Sequence, residues 1–235
     1  MKQVVIAGST GEVGKRLVSR ACANPELIVH ALVRREGAWA ANGAVHEIVF
    51  DYEDPGAYAA LFREVPCDAL LIALGTTTGK AGVAGLERVD RDYPLFLIDA
   101  LQRAHPHAQV GFCSSVGADR PRGHYLLAKA AVERGLQASS LATAIARPSL
   151  LISDRGEFRP LEVLALPLLK LGFGVLKRLR PRSSFVWKYA PVHAAQVAAC
   201  LLTATLRLEN SQHVLLEGAK LHGSAPTATS PSPPV

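Results

Sequence analysis

Tyr125 and Lys129 stand one helical turn apart in HYLLAK, so a helix there puts a phenol and an ammonium on one face. A free phenol, with a pKa of about 10, is a poor acid–base group at neutral pH. A neighbouring ammonium favours the phenolate and brings the pair into use as a proton donor and acceptor. Upstream, Cys113-Ser114-Ser115 closes an apolar run, and a hydroxyl at a strand's carboxyl end can meet Tyr125 across a site. These groups suit carbonyl reduction. A serine holds the substrate oxygen, the tyrosine supplies the proton and a nicotinamide supplies the hydride.

A second constellation offers a place for that nicotinamide's carrier. The loop Gly8-Ser9-Thr10-Gly11-Glu12-Val13-Gly14 spaces its glycines as GxxGxxG between an apolar run and a helical stretch. Gly8 allows the tight turn, Gly11 admits a pyrophosphate to the backbone, and Gly14 lets helix and strand close together. The phosphates then meet unpaired N–H groups at the positive end of the helix. An NAD site wants an acidic side chain about twenty residues further on, to hold the ribose diol. Arg34 and Arg35 stand there instead, with Glu36 beside them. Two guanidiniums suit the extra phosphate of NADP. Asp51, after the third strand, either accepts from the adenine amino group or is a plain surface aspartate.

Strands must carry these groups. QVVIAG, LIVHALV (27–33), AVHEIVF (44–50), DALLIAL (68–74), AQVGFC (108–113), LATAIAR (141–147) and QHVLLEG (212–218) read as buried strands. Helical patterns fall between them, around 57–63, 86–104, 124–139 and 193–207, which argues for a parallel sheet covered on both faces. Pro94 interrupts the 86–104 pattern, either as a restart capped by Asp92 or as a kink.

Composition narrows the class. The 235 residues are 49% apolar and 20% charged, with a formal charge of +6. That excludes a disordered, collagenous or small disulfide-built chain. The four cysteines are scattered without a CxxC pair, so no disulfide framework is expected, and a reducing, cytoplasmic setting fits. His105 and His107 flank Pro106 with no acidic or cysteine companion, so no metal site is expected. No apolar stretch is long and unbroken enough for a membrane span. Residues 155–188 carry eight Lys and Arg against Glu157 and Glu162, and the rest of the chain is neutral on balance. No nucleic-acid reading motif accompanies that basic segment, so no nucleic-acid partner is expected. The apolar 161–176 block beside Lys177, Arg178, Arg180 and Arg182 reads as a solvated cap over an apolar interface. The alternative is peripheral contact with an anionic surface through 177–182.

The glycine loop, YLLAK and RPSLL (147–151) together resemble the atypical short-chain dehydrogenases/reductases. LGTTTGKAGVAGLERVDRDY (74–93), SSVGADR (114–120) and EGAKLHG (217–223) are similar to the Tat-interacting-protein oxidoreductase branch. The resemblance implies an α/β, Rossmann-type doubly wound parallel sheet with a small C-terminal cap. Residues 1–222 would form one domain, with the cap over 152–190; outside the resemblance, 223–235 carries four prolines and no charged or aromatic residue and reads as a flexible tail. The resemblance implies NADP(H) as cofactor and places the catalytic roles on Ser115, with Ser114 the lesser choice, and on Tyr125 and Lys129. It brings Leu74, Gly75 and Thr76 beside the cofactor, together with Arg147, Pro148 and Leu150. Asp90 falls where the wider superfamily carries an asparagine that fixes a water relay. The function implied is an NADPH-dependent oxidoreductase for a small carbonyl substrate. The alternative is an NADP(H)-binding regulatory or scaffold protein without turnover. Nucleotide-sugar epimerase or dehydratase chemistry ranks last, because the short C-terminal portion leaves little room for such a pocket. The 161–176 block also offers a surface for a homodimer.

Overall fold

Continuous aliphatic runs make strands buried on both faces, and the structure, a computed structural model that describes residues 1–152 and 183–222, stacks them accordingly. The strands among these residues are β1 (Lys2–Ala7), β2 (Leu27–Val33), β3 (Val45–Val49), β4 (Ala69–Ile72), β5 (Gln109–Cys113), β6 (Ala142–Arg147), β7 (Leu151–Ile152), β8 (Val192–His193) and β9 (His213–Glu217). Seven pair in the order β3-β2-β1-β4-β5-β6-β9, all parallel. The chain winds outward from β1 to β3, then returns to β4 and winds the other way. Ligands in such sheets sit at that reversal, beyond the carboxyl ends of β1 and β4.

The helices are α1 (Glu12–Cys22), α2 (Pro55–Glu64), α3 (Thr78–Glu87), α4 (Tyr93–Ala104), α5 (Gly123–Ala138), α6 (Ser184–Tyr189), α7 (Ala194–Leu206) and α8 (Ala219–His222). Alternate residues of β1 divide the core. Val4 and Ile6 face Leu17 and Val18 of α1 and Leu201 of α7. Val5 and Ala7 belong to the opposite layer, with Phe62 of α2, Leu97 and Leu101 of α4, and Leu136 of α5. Each such leucine contributes roughly 1.5–3 kcal/mol by leaving water.

One segment departs from the sequence reading. The 86–104 pattern starts earlier, at Thr78, and passes through a π-helical turn at Arg88–Asp92 before α4. Asp92 makes no side-chain cap; its carboxylate pairs with Arg91 at 2.6 Å. The wider turn, closed by the Tyr93 N–H on the Arg88 carbonyl, admits Pro94 without a kink in α4. The segment FVWKYAPV, which has no clear period, forms α6 and then β8, and β8 pairs with β7 apart from the main sheet. Two-residue strands are too short to show alternation. Of the expected cap, residues 153–182, including the basic 177–182 stretch and the apolar 161–176 block, lie outside the described residues, as does the 223–235 tail. Among the described residues no helix is long and apolar enough to cross a membrane.

Candidate functional site

β1 ends at Ala7 and the backbone turns at Gly8, whose φ of +80° suits glycine. A Cβ there would lie 2.6 Å from the Ala73 carbonyl carbon, so only glycine lets this turn approach the exit of β4. The Gly11 N–H donates to the Gly8 carbonyl at 3.0 Å, and a Cβ on Gly14 would collide with that same carbonyl. α1 therefore begins flush against the turn. The residue at its N-cap, Gly11, has no side chain to cap its start.

Not every residue of the loop faces outward. The buried Ser9 hydroxyl donates to the Leu32 carbonyl at 2.8 Å, tying the loop to β2. Val13 and Gly14 are buried beneath it. Thr10, Gly11 and Glu12 remain on the wall of a cavity of about 1110 Å³. Arg34 joins that wall from the end of β2, Asp51 from the end of β3, and Leu74, Gly75 and Thr76 from the end of β4. Arg35 is exposed and lies outside the wall. Asp51 accepts from the Glu53 N–H at 2.9 Å, which sets the turn after β3. The tight glycine turn and the helix start fit a dinucleotide's phosphates.

The Tyr125 and Lys129 side chains approach from the other side of β4. Lys129 is almost wholly buried on α5; its ammonium donates to the Leu74 carbonyl at 3.0 Å and pairs with Asp90 at 3.0 Å. It stands 5.1 Å from the Phe112 ring and 5.7 Å from the Tyr125 ring. Asp90, in the π-helical turn, is fully buried and accepts from the Thr76 N–H at 2.9 Å. Leu74–Thr76 is thus a seam, with the cavity on one side and the Lys129–Asp90 pair on the other.

Burial would lower the Lys129 pKa; Asp90 first, then Tyr125 and Cys113, outweigh it, and the ammonium is held above its ordinary value. Tyr125 is 38% exposed as a residue, yet desolvation of its phenol is the largest influence and raises it, while Lys129 pulls it down. Cys113 and Asp90 raise it further, and the nearby Ser115 hydroxyl lowers it. The Lys129 charge that should activate the phenol is largely answered by Asp90.

The two serines take different directions. Ser114 is buried and donates to Glu133 at 2.5 Å, whereas the Ser115 hydroxyl lies near Tyr125 and donates to the Val116 carbonyl at 3.4 Å. Arg147 turns its guanidinium to Glu133, at 2.9 Å from Nε, and toward Glu217 at 3.8 Å. Its side chain is thus engaged in an ion-pair network at the strand ends. Pro148 is buried, and its carbonyl accepts from the Val116 N–H at 2.9 Å; Leu150 is exposed. His105 bonds the Phe62 carbonyl at 2.9 Å and His107 is exposed. Among the described residues no group of three or more His, Cys, Asp and Glu could hold a metal.

Sequence reading did not single out Glu133 or the Asp90–Lys129 pair. Tyr125, Lys129 and Glu133 recur every four residues, so one face of α5 already carried the signal for Glu133. Asp90 lacked one, since its partner lies in a distant helix.

A family model described as NAD(P)H-binding matches residues 8–164. The chain is 34% identical over 169 residues to Protein HTATIP2 of Rattus norvegicus, covering 70% of this chain and 69% of that protein. It is 31% identical over 172 residues to the mitochondrial protein fmp52 of Emericella nidulans, covering 70% of this chain and 73% of that protein. In fold it is similar to the Bordetella bronchiseptica enzyme WbmH, solved in complex with NAD+. That match has a TM-score of 0.68 at 13% identity, over 92% of this chain and 75% of that one. The nicotinamide cofactor implied by the glycine turn agrees with the family model. The chain belongs to the NAD(P)H-binding family, in the atypical short-chain dehydrogenase/reductase branch with HTATIP2 and fmp52.

Proposed function

We propose that the chain is an NADPH-dependent oxidoreductase that reduces a small carbonyl substrate, with Tyr125 as the acid–base group. The carrying observation is the Ser115–Tyr125–Lys129 cluster, joined to the cofactor cavity through the Leu74 carbonyl. When bound, the reduced nicotinamide supplies a hydride to the carbonyl carbon. Ser115 donates a hydrogen bond to the carbonyl oxygen and orients it. Tyr125 then gives its proton to that oxygen as the alkoxide forms, and the resulting phenolate is held by the Lys129 ammonium. Asp90 keeps Lys129 charged and pins Thr76. Arg34, on the cavity wall, supports the preference for NADPH by meeting the 2′-phosphate, with Arg35 adding charge from outside the wall.

One observation favours a second reading, NADP(H) binding without turnover. Asp90 answers the Lys129 charge, and the Tyr125 phenol is raised when activation would lower it.

Purified protein titrated with NADPH and NADH, then assayed against aldehydes, ketones and quinones, separates the readings. Tyr125→Phe should lower turnover by about 10²–10⁴-fold while sparing NADPH affinity. Normal turnover in that variant removes Tyr125 from the mechanism. No NADPH oxidation by the wild type across the panel favours the binder. Arg34→Ala with Arg35→Ala should weaken NADPH by about tenfold or more and leave NADH unchanged. Equal affinities in the wild type sink the NADPH preference.

A further inference from the structure

Three tyrosine hydroxyls gather near the end of β3, and they differ in what they bond. Tyr58 donates to the Tyr52 carbonyl at 2.8 Å. Tyr93 donates to Glu53 at 2.5 Å, and Arg88 meets that carboxylate at 3.2 Å. Tyr52 has no such outlet. Its side chain is only 8% exposed, and its hydroxyl oxygen is buried without a hydrogen-bond partner of good geometry. Gly8, the first glycine of the phosphate turn, lies near it on the wall of the same cavity.

The ring cannot turn away cheaply. It stacks on Tyr93 with centroids 5.1 Å apart and meets the edge of Phe50 at 4.8 Å, while Tyr58 holds its backbone carbonyl. Such an unmet buried hydroxyl is unfavourable in the free protein. Burial also raises its pKa, so the group remains a donor through neutral and moderately alkaline pH. Tyr52 lines the same cavity as the glycine turn, Arg34 and Asp51. These lie at the ends of β1, β2 and β3, across β4 from Lys129 and Tyr125.

We propose that Tyr52 is a cofactor-binding residue whose hydroxyl donates to an oxygen or ring nitrogen on the adenosine half of the dinucleotide, beside the Gly8 turn. The inference rests on the dinucleotide cavity and is independent of the role given to Tyr125. It has a thermodynamic signature, because the free protein carries the unmet donor and the bound protein does not. Removing the hydroxyl therefore weakens binding without weakening the free fold.

Calorimetric titration of the full chain with ADP and with NADPH, alongside thermal unfolding of the free protein, tests this. Tyr52→Phe should weaken both ligands by about tenfold, with the Tm of the free protein unchanged or higher. Tyr58→Phe, which removes an internal bond, should do the reverse and lower the free Tm while keeping affinity. Affinities of Tyr52→Phe within twofold of wild type overturn the proposal. A parallel fall in the free Tm also overturns it, since the hydroxyl would then be a packing group. Loss toward NADPH but not ADP overturns the placement on the adenosine half. Wild-type protein that binds neither ligand would instead remove the dinucleotide reading of the cavity.

Discussion

Around the glycine turn the site is made of backbone: Gly8, Gly11 and Gly14 act by lacking a Cβ, and α1 begins against them. Across β4 it is made of buried charge, with Lys129 and Asp90 almost wholly out of water and paired at 3.0 Å. The first kind of site fails by collision and the second by leaving a charge alone. The two halves should therefore respond differently to substitution, and to repair by a second substitution.

The sharpest break is Lys129→Met. It strands the Asp90 carboxylate in the interior and should cost about 3–5 kcal/mol in urea unfolding. Adding Asp90→Asn should return much of that loss, because a neutral pair needs no counter-charge. No recovery in the double variant would mean that packing, and not charge, holds this half together. The pair also sets a pH window. Lys129 has a raised folded pKa, so its contribution is complete below the unfolded value of about 10.4 and is lost as pH rises through the folded value. Wild-type stability should decline in that alkaline range, and the double variant should decline less steeply. The buried phenols of Tyr52, Tyr58 and Tyr93, all raised, add a decline of the same sign in both proteins.

The glycine half should behave otherwise. Gly14→Ala forces a Cβ onto the Gly8 carbonyl, a backbone atom that cannot swing aside. A destabilisation of about 1–3 kcal/mol is expected, with loss of NADPH binding and no change in the shape of the alkaline decline. Retained affinity in a folded Gly14→Ala protein would show that the turn tolerates widening, and that the contrast between the halves is overstated.

The same difference decides what could be read in advance. Glycine spacing, strand runs and the Arg34 position are local, so the order of elements and the dinucleotide turn were visible in the residues themselves. YxxxK is local too, and the resemblance selected Ser115 over Ser114. The inward turn of Ser9 and the Arg147–Glu133 pair were hidden, because each depends on a neighbour brought close by the sheet. Asp90 was noted for its position but not for its partner, which lies on another helix. The earlier helix start at Thr78 was hidden differently. Gly79, Gly82 and Gly85 dilute the apolar period there, and Gly82 is itself non-helical with φ +67°.

The smallest effect expected belongs to a link between α6 and the charged half. Lys188 lies 3.4 Å from Asp119, in the loop that carries Ser115, and 3.3 Å from Glu217 at the end of β9. Burial opposes its charge, but Glu217 and Asp119 outweigh that and hold the ammonium above its ordinary value. Burial likewise opposes the Asp119 carboxylate, yet Lys188 more than reverses it and keeps the group below its usual range. A partly solvated tie of this kind contributes about 1 kcal/mol or less, and salt weakens it. Lys188→Met should therefore cost little in unfolding experiments and leave the NADPH Kd unchanged. It should raise the substrate KM a few-fold by loosening the Ser115 loop. Because Asp119 is depressed, its share of the tie is present above the unfolded carboxylate value of about 3.9 and is lost as pH falls through the lower folded value. The stability gap between wild type and Lys188→Met should close on that acid side. A changed NADPH Kd in the variant would place α6 with the glycine half of the site, not with the charged half that the Asp119 tie assigns it to.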